Sequence, residues 1–319
     1  MMLSSVAERV YWMARYLERA EDTARLVNVY TGLMLDLPRQ VRLGWERLVV
    51  ILGGEQTYRA NGGGGHERDV IAFLINDPTH PSSMVACLGH ARENIRTTRD
   101  VLPSEVWETI NALHRHASVA DVNASRSARY RTLTRVIEGC QHIAGMLHGT
   151  MPRDAAYEFV RAGRMLERAD MTTRVLDGGV LAAPIAGQQA AAVEGIVWIH
   201  VLRALSAYQA FRRTGELGAD TAQVAAFLLC DGAFPRAVRH CLNELTESFG
   251  RLPRPAAPLA AAGAALALLD ALDLSTADAQ ALLDLSDQIQ VALGEVHDHI
   301  TRTWFEAPAP AAGRAHAAQ

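Results

Sequence analysis

Ala14-Arg15-Tyr16-Leu17-Glu18-Arg19-Ala20-Glu21-Asp22-Thr23-Ala24-Arg25-Leu26 returns later in the chain as Gly163-Arg164-Met165-Leu166-Glu167-Arg168-Ala169-Asp170-Met171-Thr172-Thr173-Arg174-Val175. Arg, Leu, Glu-Arg-Ala, an acid, Thr and Arg keep one register, offset by 149 residues. A repeat of this kind asks what two copies of one unit build together. Around the first copy Val6, Val10, Met13, Leu17, Ala20, Ala24 and Val27 step by fours and threes, the apolar stripe of a helix.

The repeat reaches further. Phe73-Leu74-Ile75-Asn76-Asp77 matches Phe227-Leu228-Leu229-Cys230-Asp231, and the same offset of 154 pairs Pro81 with Pro235, Cys87 with Cys241 and Leu88 with Leu242. Trp45 pairs with Trp198 between these blocks. The expected fold is all-α: an internally duplicated helical bundle, with half-repeats of about 1–150 and 151–305 fused into one body. Residues 306–319 read as a disordered Ala/Pro tail. Helical patterns run over about 40–52, 67–76, 82–101, 103–118, 125–149, 152–178, 188–213, 219–230, 235–249, 257–270 and 275–304, and no segment alternates like a strand. Pro38, Pro81, Pro103, Pro152 and Pro235 stand where helices should begin. Residues 56–67, with Gly62 to Gly65, read as a loose surface loop, with a lid as the functional alternative.

On a helical wheel Glu8, Tyr11, Trp12, Arg15, Glu18, Arg19 and Asp22 fall within roughly 120°. A solvated polar face is the plain reading. Against it, Tyr11, Trp12, Leu26 and Val29 share that arc, as Val160, Met171 and Val175 do in the second copy. Arg15 with Arg19, and Glu18 with Asp22, are like charges at i,i+4, so these side chains look outward for partners. If the two helices meet antiparallel about a pseudo-twofold, Glu18 can pair with Arg168 and Arg19 with Glu167. Reversing Glu18 and Arg168 together is then expected to compensate. The candidate binding or structural network is Arg15, Glu18, Arg19, Asp22, Arg164, Glu167, Arg168 and Asp170. Tyr11, Trp12, Arg92, Glu93 and Asn94 are candidates of lower rank.

Composition narrows the chemistry. The 319-residue chain has net charge −4 and 49% apolar residues, which suits a globular protein and gives no basic footprint for nucleic acid. All 31 basic residues are Arg, so neither a Schiff-base Lys nor a Walker Lys exists. Fixed cations must be guanidiniums, suited to carboxylates and phosphates. No apolar run is long enough to span a membrane, and Met1-Met2-Leu3-Ser4-Ser5 does not resemble a signal peptide, so a cytoplasmic setting is expected. Cys87, Cys140, Cys230 and Cys241 form no CxxC pair and read as buried free thiols. His297-Asp298-His299 and His114/His116 place neighbours on different helix faces, and no HExxH or ExxH occurs, so no metal site and no cofactor is expected.

At Ala7 to Glu21, Ala91-Arg92-Glu93-Asn94-Ile95-Arg96, Gly163 to Asp170 and Phe227 to Leu242 the chain resembles the alpha-E domain family, an all-helical bacterial family named for its Glu-Arg motif. The resemblance covers about residues 1–305; the insertion Gly62–Gly65 departs from it. It implies partners rather than catalytic residues: a circularly permuted ATP-grasp protein, and often a transglutaminase-like protease nearby. Three readings follow. The first is an accessory protein of an ATP-grasp-linked system that makes or modifies peptide or amide bonds, binding the ligase or a carboxylate-bearing peptide-like substrate. The second is an enzyme of that system with Glu18 or Glu167 as general base, and the third is a purely structural scaffold.

Overall fold

The computed structural model describes residues 2–306 apart from 39, 42, 183–189, 216–218, 272–273 and 275–276. Every regular element among them is a helix. The tail expected to be disordered lies, apart from Glu306, outside the described residues.

The helices are α1 (Ser4–Asp36), α2 (Glu46–Ile51), α3 (Glu55–Ala60), α4 (Glu67–Asn76), α5 (Met84–Thr97), α6 (Ser104–Ser118) and α7 (Arg126–Thr150). They continue as α8 (Ala155–Ala182), α9 (Ala190–Ala204), α10 (Tyr208–Arg212), α11 (Thr221–Cys230), α12 (Val238–Gly250), α13 (Ala256–Ala271) and α14 (Ala279–Ile300), closed by a π-helical turn, Thr301–Phe305. Their starts follow capping chemistry. Ser83, Ser125, Asp220 and Asp278 each accept a backbone N–H of the first turn of α5, α7, α11 and α14. Pro103 caps α6. Pro81, Pro152 and Pro235 stand a short turn ahead of their helices, whereas Pro38 follows the end of α1 and starts none.

Three local expectations change. The helix expected over 188–213 is broken, because Ser206 takes φ 54° and the Ala207 N–H closes on the Leu202 carbonyl at 2.6 Å. The helix expected over 40–52 forms only over α2. The loose stretch 56–67 begins as α3, anchored by Tyr58, whose ring meets Phe73 edge-on at 5.0 Å. The glycines wrap that ring: a Cβ at Gly63 would lie 2.3 Å from it, and the Gly65 N–H donates to the Tyr58 hydroxyl at 3.0 Å. This geometry ties the run down and does not support a lid.

α1 and α8 form the centre. α5 and α7 pack on α1, and α12 and α14 pack on α8. α6 joins α5 to α7, and α13 joins α12 to α14. The buried positions of these helices share one spacing. Val106, Ile110, Leu113 and Ala117 of α6 correspond to Pro258, Ala262, Ala265 and Leu269 of α13. Met84, Cys87, Leu88, Ala91 and Ile95 of α5 correspond to Val238, Cys241, Leu242, Leu245 and Phe249 of α12. Leu133, Val136, Cys140, Ile143 and Leu147 of α7 correspond to Ser286, Ile289, Leu293, Val296 and Ile300 of α14.

Contacts step the same way along α1 and α8: Tyr11 meets Gly163, Arg15 meets Glu167, and Tyr30 and Leu33 lie with Gly179 and Ala182 around one apolar groove. The two helices therefore run parallel, which corrects the antiparallel arrangement.

Their closest approach is at Gly163, where a Cβ would fall 2.3 Å from the Tyr11 carbonyl oxygen, backbone that cannot swing aside. Gly163→Ala is expected to lower stability by about 1–3 kcal/mol through overpacking. Gly145→Ala, at an exposed α7 position where an added Cβ meets nothing within 4 Å, should raise it by about 0.4–1 kcal/mol. Urea unfolding midpoints of the two variants check both signs.

Candidate functional site

The two Glu-Arg phrases face one another between α1 and α8, and each glutamate is held by arginines of the other phrase. Glu167 accepts from Arg15 Nε at 2.7 Å, and from Arg19 Nε at 2.5 Å and Nη2 at 3.0 Å. Glu18 accepts from Arg168 Nε at 2.7 Å and Nη2 at 3.0 Å, and from Arg164 Nε at 3.2 Å. The helical repeat explains the geometry: positions 15, 18, 19 and 22 lie on one face of α1, and 164, 167 and 168 lie on the matching face of α8. Both carboxylates are almost wholly buried, at 3% for Glu18 and 1% for Glu167.

Burial alone would push both acids up. The guanidiniums outweigh it. Arg168, then Arg236 and Arg164, hold Glu18 far below the ordinary 4.5. Arg15 and Arg19 hold Glu167 at about 2.

The network is not symmetric. Arg236, in the turn before α12, lies 2.9 Å from Glu18, 3.0 Å from Glu21 and 2.6 Å from Asp22. Its own carbonyl accepts from the Thr172 hydroxyl at 2.8 Å, which fixes the turn against α8. At offset 154 from it stands Ser82, which accepts from Arg19 at 3.3 Å. Glu21 also accepts from Arg25 and, at 3.2 Å, from Gln141. Asp22 Oδ2 is buried without a hydrogen-bond partner. Burial first, partly opposed by Arg236 and reinforced by Glu18 and Glu21, raises the Asp22 carboxyl.

Around Glu167 the wall is aromatic. Arg15 lies over Trp12 at 4.9 Å and reaches the Tyr11 hydroxyl at 3.4 Å. Tyr11 stacks on His297 at 5.8 Å, its hydroxyl 2.9 Å from Nδ1. Burial raises Tyr11 to about 12 and lowers His297.

Around Glu18 the wall is open. A cleft of about 430 Å³ lies between α1, α7, α8 and α12, with Glu18, Glu21 and Arg164 at its base. Arg161 crosses its side to Glu244 at 2.6 Å and Glu247 at 2.5 Å, and Arg251 reaches Glu158 at 2.9 Å.

Not every candidate joins. Asp170 pairs within its own helix with Arg174 at 2.8 Å. Arg92 donates to Asn111 at 2.5 Å, Glu93 pairs with Arg96 on the surface, and the backbone carbonyl of Asn94 accepts from the Thr97 and Thr98 hydroxyls. Arg92 thus ties α5 to α6, and the contacts of Glu93 and Asn94 are local to the end of α5, apart from the central network. Arg236 and Arg161 are not among the residues the sequence singled out, and His297 is weighed there only as a metal ligand. The signal for Arg236 was present: in the block that matches Pro81 with Pro235, it puts a cation opposite Ser82. Among the described residues no three His, Cys, Asp or Glu side chains gather as metal ligands, and no helix is long and apolar enough to cross a membrane.

A family model named Alpha-E, described as a predicted alpha-helical domain with a conserved ER motif, matches residues 2–305. An uncharacterized protein of Mycobacterium bovis is 24% identical over 271 residues, covering 78% of this chain and 30% of the relative. Two uncharacterized Mycobacterium tuberculosis proteins match to the same extent. The chain thus spans about a third of the length of these curated relatives. No solved structure matches it.

Structure alters the charge-reversal expectation. Arg at position 18 would meet Arg164 and Arg236 whatever stands at 168, so the double reversal should not rescue folding. Glu18→Gln, which leaves Arg164 and Arg168 without a carboxylate and weakens the hold on Arg236, is expected to cost about 3–5 kcal/mol, and Glu167→Gln, which leaves Arg15 and Arg19 without one, somewhat less. Calorimetric melting of both variants checks the order. The pH dependence has a defined sign. The stability Glu167 contributes is complete above 4.5 and is lost as pH falls from there through about 2. Asp22, raised, acts oppositely: its contribution is complete below 3.8 and lost as pH rises through its folded value. Urea midpoints between pH 2 and 5 should fall with acid, less steeply in Glu167→Gln.

Proposed function

The chain belongs to the Alpha-E family, and from that premise we propose that it is a cytoplasmic accessory protein of an ATP-grasp-linked system that makes or modifies peptide or amide bonds. Its partners in this reading are a circularly permuted ATP-grasp ligase and, nearby, a transglutaminase-like protease. Its part is to bind the ligase or a carboxylate-bearing peptide-like substrate.

The observation that carries the reading is the state of the two glutamates. A general base works best with a pKa near the working pH and a nucleophile or substrate proton within reach. Glu167 is held at about 2 by two arginines, and Glu18 is held well below its ordinary value by three. Acids locked as anions inside a set of guanidiniums make a clamp and not a base, which favours binding over catalysis by this motif. Against a scaffold without a ligand stands the cleft that reaches Glu18 and Arg164. The greater length of the mycobacterial relatives suits a unit that works beside, or joined to, other domains. Free thiols at Cys87, Cys140, Cys230 and Cys241 suit a reducing compartment.

We also infer that the chain arose by internal duplication. The shared buried spacing of α5 with α12, α6 with α13 and α7 with α14 supports it, as does the reciprocal pairing of the two phrases. The Trp45–Trp198 match supports it less, since Trp198 is fully buried and Trp45 only half so.

Co-expression with the neighbouring ATP-grasp protein tests the function. The expected result is a complex that survives gel filtration and an ATP-dependent product whose yield falls when this chain is left out. Absence of a complex together with unchanged product would overturn the reading.

A further inference from the structure

The two copies of the Glu-Arg phrase differ in what surrounds them, and the differences fall on the residues that decide whether space is left. In the register that aligns the phrases, Tyr11 stands opposite Val160 and Tyr16 opposite Met165. In the register of buried positions shared by α7 and α14, His297 stands opposite Ala144. On the Glu167 side Trp12 meets Tyr16 at 5.5 Å and His297 at 5.3 Å, and Tyr11 meets Phe305 at 5.3 Å, so rings fill the wall. On the Glu18 side Val160, Met165 and Ala144 are too short to do so, and all three line the 430 Å³ cleft. That volume falls in the range of roughly 300–1,000 Å³ typical of small-ligand sites.

The matching arginines differ in the same sense. Arg15 is spent: it bonds Glu167 and Tyr11 and lies over Trp12, with 11% of its side chain exposed. Arg164 gives only its Nε to Glu18, and its side chain is 31% exposed in the cleft. Among the described residues its two terminal nitrogens bond to nothing. Arg168 and Arg236 crowd it with like charge. Of the other cations of the cleft, Arg161 is held by Glu244 and Glu247 and Arg251 by Glu158 and Glu247, while Arg153 stands at the surface, donating to the His148 carbonyl and lying over Tyr157. The Arg164 fork, with two free donors, faces a space whose wall is apolar at Leu17, Leu147, Val160 and Met165 and charged along Arg161, Glu244 and Glu247. A guanidinium fork of this kind matches a carboxylate, two N–H groups to two oxygens. A dianion such as phosphate would be repelled more strongly than a carboxylate by Glu18, Glu21, Glu244 and Glu247, which line the same space.

We infer that the cleft on the Glu18 side is a binding site for the terminal carboxylate of a ligand with a short aliphatic body, seated on Arg164, and that the Glu167 side is its closed structural counterpart. The assignment deepens the reading above and rests on it for the use made of the ligand, but not for the binding itself. Either a peptide C-terminus or a free small carboxylic acid carries this chemistry.

Ligand-detected NMR titration of the full chain tests it, with the tripeptide Ala-Ala-Leu, its C-terminal amide, 4-methylpentanoate and inorganic phosphate as probes at millimolar concentration. At least one carboxylate probe should bind, about tenfold or more tighter than the amide or phosphate. A response to the tripeptide alone identifies a peptide end as the source; a response to 4-methylpentanoate as well identifies any short carboxylic acid. Arg164→Gln should weaken carboxylate binding about tenfold or more. Ala144→His, which gives this side the residue that closes the other and changes none of the network's charges, should do the same with the melting temperature kept. No binding by either carboxylate, an amide or phosphate that binds equally well, or a folded Ala144→His variant that binds like the parent overturns the assignment. Carboxylate binding with no ATP-grasp complex and an unchanged ATP-dependent product overturns the accessory reading alone; a complex whose cleft ignores carboxylates overturns this assignment alone.

Discussion

Two carboxylates inside a protein must be neutralised by something fixed, and here each is neutralised by the arginines of the other's helix. Glu18 and Glu167 are almost wholly buried, so each would be very costly as a lone anion. The Arg168–Glu18 and Arg19–Glu167 forks, joined by Arg164 and Arg15, remove that cost only if α1 and α8 lie side by side in one register. A slip of one residue on either helix would turn the charges away from their partners. Buried ion pairs of this kind add little net stability over an apolar contact but tolerate few alternatives. The clamp therefore sets geometry more than it sets strength.

The rest of the bundle is arranged around that register. The close approach at Gly163 lets the two backbones come near enough for the forks to close. α5 and α7 cover α1, and α12 and α14 cover α8, so the charged seam is sealed by apolar helix faces and water is kept from it. The seal strengthens each ion pair through the low local dielectric. It opens where the side chains are short, above Arg164, and there the seam meets solvent through the cleft.

Much of this was legible in the one-dimensional pattern. The aromatic and aliphatic residues among the charges of the first phrase implied protein on both sides of α1, and α1 is indeed buried at Val10, Met13 and Leu17 on one face and at Tyr11, Glu18 and Asp22 on the other. The reciprocity of the phrases implied which glutamate would meet which arginine. Arg236 was not legible as a third partner because it belongs to a turn distant in sequence, and only the packing of α12 on α8 brings it to Glu18. Arg92, Glu93 and Asn94 looked alike in type to the phrase, but Arg92 turns to Asn111 of α6, and Glu93 pairs with Arg96 on the surface of α5.

The sequence by itself determined the helical class, the doubled phrase and the pairing preference of its charges, since periodicity and side-chain chemistry are local properties. Tertiary structure decided the parallel run of α1 and α8, the inclusion of Arg236, and which of the two phrases stays open. Those depend on the volume left between helices once all of them have packed. A ring at Tyr11 and His297 fills that volume on one side, and the side chains at Val160 and Ala144 are too small to fill it on the other.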